Sequence, residues 1–579
     1  MKSKKINIAQ FRYIALFVIF TLFSCESMIE EQKYDFIQDS DIEDSDAGAD
    51  QWVTGVYSKL SDDMFRYDMF PSVLEFDCDY MSGPDWSFGT FGAGNFQGSE
   101  HTQTMWEGFY NLIHRASYAL ENIEKMSNLS EAHKANVMGE LYFLKGYSYF
   151  MLVRAFGEIP IRRHSVNLGL ENENQPKQAI PDVYAHIIEL LSYAQDNMYK
   201  NTDEAFVEGH ASAGAAAAFL AKTYLTIASA SLAPTEVRVK GGKPFSWDNE
   251  GNLVFDNYTV QTFVKEQVAG YESFNSKEYF KLAMDKAKQV IDGAYGTYAL
   301  LPFSDIWTQA SKNKVEHIWS LQTLSGSEKY GTQFSQSYCG TFDGNDVIIN
   351  GKWWGLRDHW YRLFESKDLR IKEGVMHRWV KQGYHTPSWN GGAVYPSYGE
   401  WWEKSQNGEA PYDDGRTYVN DKGSEYLAFL TKYADVTDNT IARQDANWPF
   451  MRFADVLLIY AEAANEYNGA PSQEALDALN KVRERSEATD KVLSGNGSIG
   501  DLVSFRSAVL EERAMELALE GDRRWDLIRW GIYLQTMNGI GGYDEVNVNK
   551  ARLKKHLLFP IPTTEMNANN AINENNYGW

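Results

Sequence analysis

Residues 213–218 read Ala-Gly-Ala-Ala-Ala-Ala, inside a segment, 211–230, that also carries Phe219, Tyr224 and Leu225. Alanine is the strongest helix former, so the segment predicts a helix. Side chains this small let a neighbouring helix approach closely, and the larger rings fill the gaps between the two. The neighbour in sequence is 181–198, opened by Pro181 in the position where a helix tolerates proline. Residues 106–123 and 134–156 are also periodic. In the second of these, Leu141, Leu144, Tyr147 and Met151 recur at helical spacing, with Gly157 as a stop and Pro160 just beyond. Residues 276–293 predict a further helix. After a break in the pattern, helices resume at 448–467 and end at Gly469 and Pro471. Ser472 is placed to cap the next helix, whose apolar face is Leu476, Leu479 and Val482. A last long helix is expected over 501–519, and the stretch from Leu557 is an Asn-rich tail.

Small/large alternation between paired helices resembles tetratricopeptide repeats, although no strict ~34-residue period survives. Residues 296–445 differ in character, being rich in Gly, Trp, Tyr and Asn with short strand-like pieces at 316–322 and 427–433. A chain of 579 residues exceeds one small core. The expected fold is therefore mainly α, a degenerate tetratricopeptide-like helical superstructure carrying an inserted, loop-rich α+β lobe. The division along the chain is 1–24 signal peptide, 25–46 acidic tether, 47–295 helical part, 296–445 inserted lobe, and 446–579 helical part and tail.

The start of the chain concerns location. Lys2, Lys4, Lys5 and Arg12 surround the beginning of an apolar run, 13–23, of 11 residues. That is well short of the ~20 needed to span a bilayer. A basic n-region, a short apolar stretch and Ser24 before Cys25 read as a cleaved secretory signal. Leu22-Phe23-Ser24-Cys25 resembles a bacterial lipobox, which implies lipidation of Cys25 and a body held to a membrane by its N-terminal lipid. Several acyl chains, at ~0.8 kcal/mol per buried methylene, anchor firmly. Net charge is −24, or −28 once the four basic groups of 1–24 are removed. That balance argues against nucleic acid and anionic lipid as partners and suits a neutral ligand. Cys78 and Cys339 could pair or could be separate small hydrophobes; both readings stay open. Metal-ligand spacings, phosphate-binding loops and nucleophile elbows are absent from the sequence, so neither cofactor nor metal is expected.

Five stretches in order carry a family resemblance. They are 140–160, with Glu140, Gly146, Tyr147, Arg154 and Phe156-Gly157-Glu158-Ile159-Pro160; 452–464, with Arg452, Asp455 and Glu462; and 479–483, Leu-Asn-Lys-Val-Arg. The fourth is 511–531, with Glu512, Arg513, Glu516 and Gly521-Asp522-Arg523-Arg524-Trp525-Asp526. The last is 556–562 with Glu565 beyond. Together they resemble the SusD-like (RagB-like) outer-membrane nutrient-binding lipoproteins of Bacteroidetes. The acidic 26–46 similarly resembles a surface-export signal of Bacteroidetes lipoproteins. The resemblance implies a non-enzymatic lid on a SusC-like TonB-dependent transporter, at the cell surface, capturing an oligosaccharide or polysaccharide for import. Peptide as ligand, as in the RagB branch, is the alternative. A lipid-anchored glycoside hydrolase would need carboxylate pairs such as Asp77/Asp79 or Asp413/Asp414. Arg513, beside Glu512 and three residues before Glu516, reads as a buried ion pair fixing helix register.

A sugar ring offers apolar C–H faces and a polar rim, matched by flat aromatic side chains beside carboxylates and amides. Seven of the 17 tryptophans fall within 338–402, far above their share by length, so this region is the first place to look. Trp360 and Trp379 lie in helix-like and strand-like runs and are expected in the core. Trp353, Trp354, Trp389, Trp401 and Trp402 lie in loop contexts and are candidate ligand contacts. The turn 83–89, Gly-Pro-Asp-Trp-Ser-Phe-Gly, displays Trp86 as the foremost candidate, with Asp85 to accept from hydroxyls and Phe88 as a second platform.

Overall fold

The computed structural model describes residues 42–65, 69–169, 173–250, 253–255, 259–343, 347–381, 385–386, 389–419 and 426–579. The expected signal peptide, Cys25 and most of the acidic tether lie outside the described residues. Where the description begins, the acidic stretch is already bound to the body. Asp44 accepts hydrogen bonds from the Ser127 and Asn128 amides (3.0 and 3.1 Å), and Asp46 accepts one from the Ser130 amide (3.0 Å).

Six long helices follow one another among the described residues: α1 (Asp46–Lys59), α2 (Glu100–Ile123), α3 (Glu131–Phe156), α4 (Ile180–Asn197), α5 (Ala213–Ser231) and α6 (Ser276–Ile291). Each packs on the next, so the chain builds a series of antiparallel helix pairs. The ends are set by local chemistry. Ser212 Oγ accepts from the Ala215 amide (3.3 Å), and Gly157, at a φ of 72°, ends α3 with its amide on the Val153 carbonyl (2.8 Å). Every residue of α5 is buried, which is what a helix of small side chains between neighbours on all sides requires.

The segment from about 296 onward carries the larger sheets. One joins the strands His385–Thr386, Trp389–Val394, Arg378–Lys381, Val347–Asn350 and Thr341–Phe342, with Thr417–Val419 beside Trp389–Val394. Helix α7 (Gly399–Asn407) covers the end of that sheet. A second sheet places Gly355–Arg357 between Met81–Ser82 and Leu427–Ala428. Helices then resume as α8 (Phe453–Asn468), α9 (Gln473–Arg485), α10 (Leu502–Glu516) and α11 (Arg523–Arg529). Helix α8 packs on α6, so the C-terminal helices continue the N-terminal series. Ser472 caps α9 as expected, accepting from the Ala475 amide at 3.2 Å.

Among its elements and ion pairs, the structure differs from the sequence reading as follows. Pro449–Arg452, expected as helix, is a strand paired with His317–Ser320; Pro449 has no amide to give a helix, and α8 starts only after it. Strand pairing at 427–433 is limited to Leu427–Ala428 and a single bridge from Leu430 to Val375. The expected helical part contains an antiparallel pair, Glu236–Lys240 with Val260–Val264, whose Val237 and Val239 alternate inward. Finally, Arg513 is a buried ion pair, but its carboxylates are Asp455 (2.5 Å) on α8 and Asp526 (2.8 Å) on α11. Glu516 turns to Arg452 and Arg485 instead. The pairing thus locks helix to helix rather than one helix to itself. Cys78 and Cys339 are both free and buried.

Candidate functional site

The pairing of Met81–Ser82 with Gly355–Arg357 matches Met81 to Leu356 and Ser82 to Gly355. That register sets the turn after Ser82 beside the residues just before Gly355. The chain there is close: a Cβ on Gly83 would lie 3.0 Å from the Trp353 carbonyl oxygen and 2.7 Å from the Phe88 ring, so glycine is required. Residues Asp85–Phe88 then form a single helical turn. Trp86 on that turn is 61% exposed, and its ring meets the half-buried Trp353 edge-to-face, with centroids 5.3 Å apart and planes at 87°. Asp85 is exposed beside it. Two indoles, one on this strand-anchored turn and one on the segment facing it, together with the turn's carboxylate form a surface that can hold a C–H face and accept from hydroxyls.

Phe88 and Trp354 do not join that surface. Phe88 is fully buried and stacked on Phe76 (4.0 Å, 18°), because residues two apart on a helical turn point in opposite directions. Trp354 is 1% exposed; it packs on Phe76 (4.6 Å) and donates its indole N–H to Ser87 Oγ (3.2 Å). Both therefore form the floor that holds the turn in place. Lys352 is also buried, with Nζ 3.4 Å above the Trp379 ring and 3.7 Å above Phe429.

Trp401 and Trp402 lie on α7, not in a loop. Trp401 stacks on His377 (3.9 Å, 12°), and both tryptophans pack against a small core of Val394, Tyr412 and Tyr418. Trp389 opens the strand Trp389–Val394, and its side chain is outside the described ones. Trp360 and Trp379 are in the core, at 1% exposure each.

A polar cluster that the sequence reading did not single out supports the same strand. Asp358, directly after Gly355–Arg357, accepts hydrogen bonds from Tyr395 (2.9 Å) and Tyr398 (2.7 and 2.8 Å). Burial raises its pKa to about 6 against the pull of the two phenols. The spacing Tyr395-Pro396-Ser397-Tyr398-Gly399 was the available signal. Arg357 pairs with Glu545 (2.6 Å), completing the support.

Three of the four carboxylates considered for hydrolysis have other partners. Asp77 is bound by Arg552 (2.8 Å), Tyr533 (2.6 Å) and Arg524. Asp79 is buried, and Arg523 (2.7 Å) overcomes the cost of that burial to hold its pKa at about 2. Asp414 is held at about 2 against desolvation by Arg378, Tyr418 and Arg416. None of these three has the raised pKa of a general acid. Among the described residues, no group of three or more His, Cys, Asp or Glu is placed to hold a metal ion.

Comparison with known proteins defines the class. The model of the SusD family matches residues 306–579, and that of "Starch-binding associating with outer membrane" matches 30–225. SusD-like protein P25 of Formosa agariphila is 24% identical over 97% of both chains. Among solved structures, a SusD homologue from Bacteroides thetaiotaomicron superposes with a TM-score of 0.69 at 21% identity, covering 93% of this chain and 98% of the other. A laminarin-binding SusD-like protein superposes with a TM-score of 0.62 at 19% identity, covering 92% and 99%. The chain belongs to the SusD/RagB family, and its stacked helix pairs are the tetratricopeptide-like body of that fold.

Proposed function

We propose that this protein is a non-catalytic glycan receptor that captures an oligosaccharide or polysaccharide on the Trp86–Trp353 pair. In this reading Asp85 accepts from ring hydroxyls, Cys25 carries the lipid anchor at the outer-membrane surface, and a SusC-like TonB-dependent transporter receives the ligand. The observation that carries it is the 61% exposure of Trp86 on a turn fixed from below by Phe88 and Trp354. An indole of that size in water costs solubility unless a ligand covers it. Laminarin binding by a structural relative and the starch-binding description of a matching family model support a neutral glucan as the first ligand to try.

The test is titration of residues 26–579 with laminarin, starch and a panel of other neutral glycans. Trp86→Ala and Trp353→Ala are each expected to weaken binding about ten-fold while the circular dichroism spectrum is unchanged. Saturable binding of peptide mixtures with no glycan bound would transfer the site to peptide. Release of reducing ends from a bound glycan would make the protein a hydrolase. A panel with no glycan bound at all sinks the reading.

A further inference from the structure

Arg154, near the end of α3, closes the motif 140–154 and takes no part in the glycan surface. Its surroundings are unusual for an arginine. The guanidinium lies 4.9 Å from the Phe150 ring centroid and 4.8 Å from that of Trp525, and Nη2 donates to Met151 Sδ at 2.7 Å. Its Nε is buried with no hydrogen-bond partner, and no carboxylate among the described residues pairs with it. The neighbouring anions are engaged elsewhere: Asp522 with Lys222 (2.7 Å) and Asp526 with Arg513 (2.8 Å). By contrast Arg513, Arg523, Arg524 and Arg529 each hold a buried carboxylate. Arg154 is half-buried, and Asp522 and Asp526 act on its charge only at a distance; a guanidinium stays charged in any protein environment, so a partly desolvated one with no direct ion pair has capacity for an anion.

Arg154 lines a cavity of about 120 Å³ between α3, the start of α4 and the segment 554–558. Its walls are apolar, with Ile180, Val268, Ile528 and Leu558, and Lys554 and Lys555 are the other charged groups on its lining. Three cations and no carboxylate line this cavity, in a chain whose net charge is −24. An apolar cavity of ~150 Å³ accommodates benzene, so this slightly smaller, partly open one takes at most about one ring or a short chain, with a charged group left at its edge beside Arg154.

We propose that this cavity is a second ligand site, for a small amphipathic carboxylate such as a benzoate or a short-chain fatty acid anion. Arg154 supplies the counter-charge as N–H donors, the apolar walls take the hydrocarbon, and Lys554 and Lys555 draw the anion inward. This site shares no residue with the Trp86–Trp353 surface, so it stands or falls independently of the glycan reading.

Residues 26–579 are titrated with sodium benzoate and sodium hexanoate, and with benzyl alcohol and sodium chloride as controls. Benzoate should bind at least about ten-fold tighter than benzyl alcohol, the scale of a charge-assisted hydrogen bond. Arg154→Met should remove that preference, and Val268→Trp, which fills the cavity, should abolish binding of both aromatics. The Lys554→Gln/Lys555→Gln double variant should weaken benzoate binding several-fold and flatten its salt dependence. An unchanged circular dichroism spectrum and a cooperative thermal melt check that each variant is folded. If Arg154→Met does not fold, the Val268→Trp and double-lysine variants decide. Equal affinities for benzoate and benzyl alcohol, unchanged benzoate affinity in the variants, a chloride site with no benzoate preference, or no saturable binding up to about 10 mM would each overturn the proposal.

Discussion

Glu75 illustrates how strongly one buried group in this fold can couple to pH. It ends the helix Met69–Glu75, is fully buried, accepts from the Gly521 amide, and leaves Oε2 without a partner. Desolvation raises its pKa to about 8, with the nearby Asp522 and Glu520 adding to the rise against Lys432. The folded chain therefore holds a proton here that the unfolded chain, with an ordinary carboxylate, has released. Stability falls as pH rises between those two values and is lowest above about pH 8. Glu75→Gln keeps the acceptor for Gly521 and removes the titration. Relative to wild type, it should gain about 3 kcal/mol of unfolding free energy between pH 5.5 and pH 8.5, read by urea denaturation at both. A constant difference across that interval would show that Glu75 is ionised in the folded protein. Asp79 has the opposite sign: its pKa of about 2 contributes stability that is lost as pH falls below the ordinary carboxylate range.

At the scale of elements, α5 is the helix on which the series depends. Ala215, Ala216, Ala217 and Ala218 have no exposed surface at all, so none can grow without moving a neighbour. Ala217→Leu should destabilise by about 1–3 kcal/mol in a thermal or urea melt, whereas Ala→Ser at an exposed helical site should be nearly silent. This helix and its partners were legible because period, small-residue runs and caps are local properties of the chain. Met81–Ser82 and Gly355–Arg357 were not, since each two- or three-residue strand exists only by pairing with a segment far away in sequence. The same limit divided the candidate ligand residues. Trp86 and Phe88 share one composition of turn, yet helical geometry sends one outward and the other onto Phe76. Trp353 and Trp354 are adjacent, and consecutive side chains of an extended segment face opposite ways. Trp401 and Trp402 looked like loop residues because Gly399 precedes them, whereas that glycine is the first residue of α7. Sequence located the aromatic wealth; the side on which each ring fell depended on tertiary pairing.

Taken as a whole, the molecule carries a net charge of −24, and among the described residues of the proposed glycan surface the charged groups are an exposed carboxylate and a buried lysine. Asp85 is exposed beside Trp86, and the lysine next to Trp353 is buried with its ammonium over two rings. A field of this sign leaves a neutral glycan untouched and repels a polyanionic one, and salt weakens it beyond a Debye length of ~10 Å at 0.1 M. Affinity for laminarin should therefore change by less than about two-fold between 20 mM and 500 mM sodium chloride, since indole–sugar contacts do not involve ions. A polyuronate should bind more weakly than laminarin at 20 mM salt and gain as salt is added, most visibly in its association rate. The opposite slope, a polyanion bound tightly at low salt and released at high salt, would require a basic surface that the Trp86–Trp353 pair does not possess. It would move the glycan site elsewhere on the molecule, and the double variant Trp86→Ala/Trp353→Ala, measured at both salt concentrations, would then leave polyuronate binding intact.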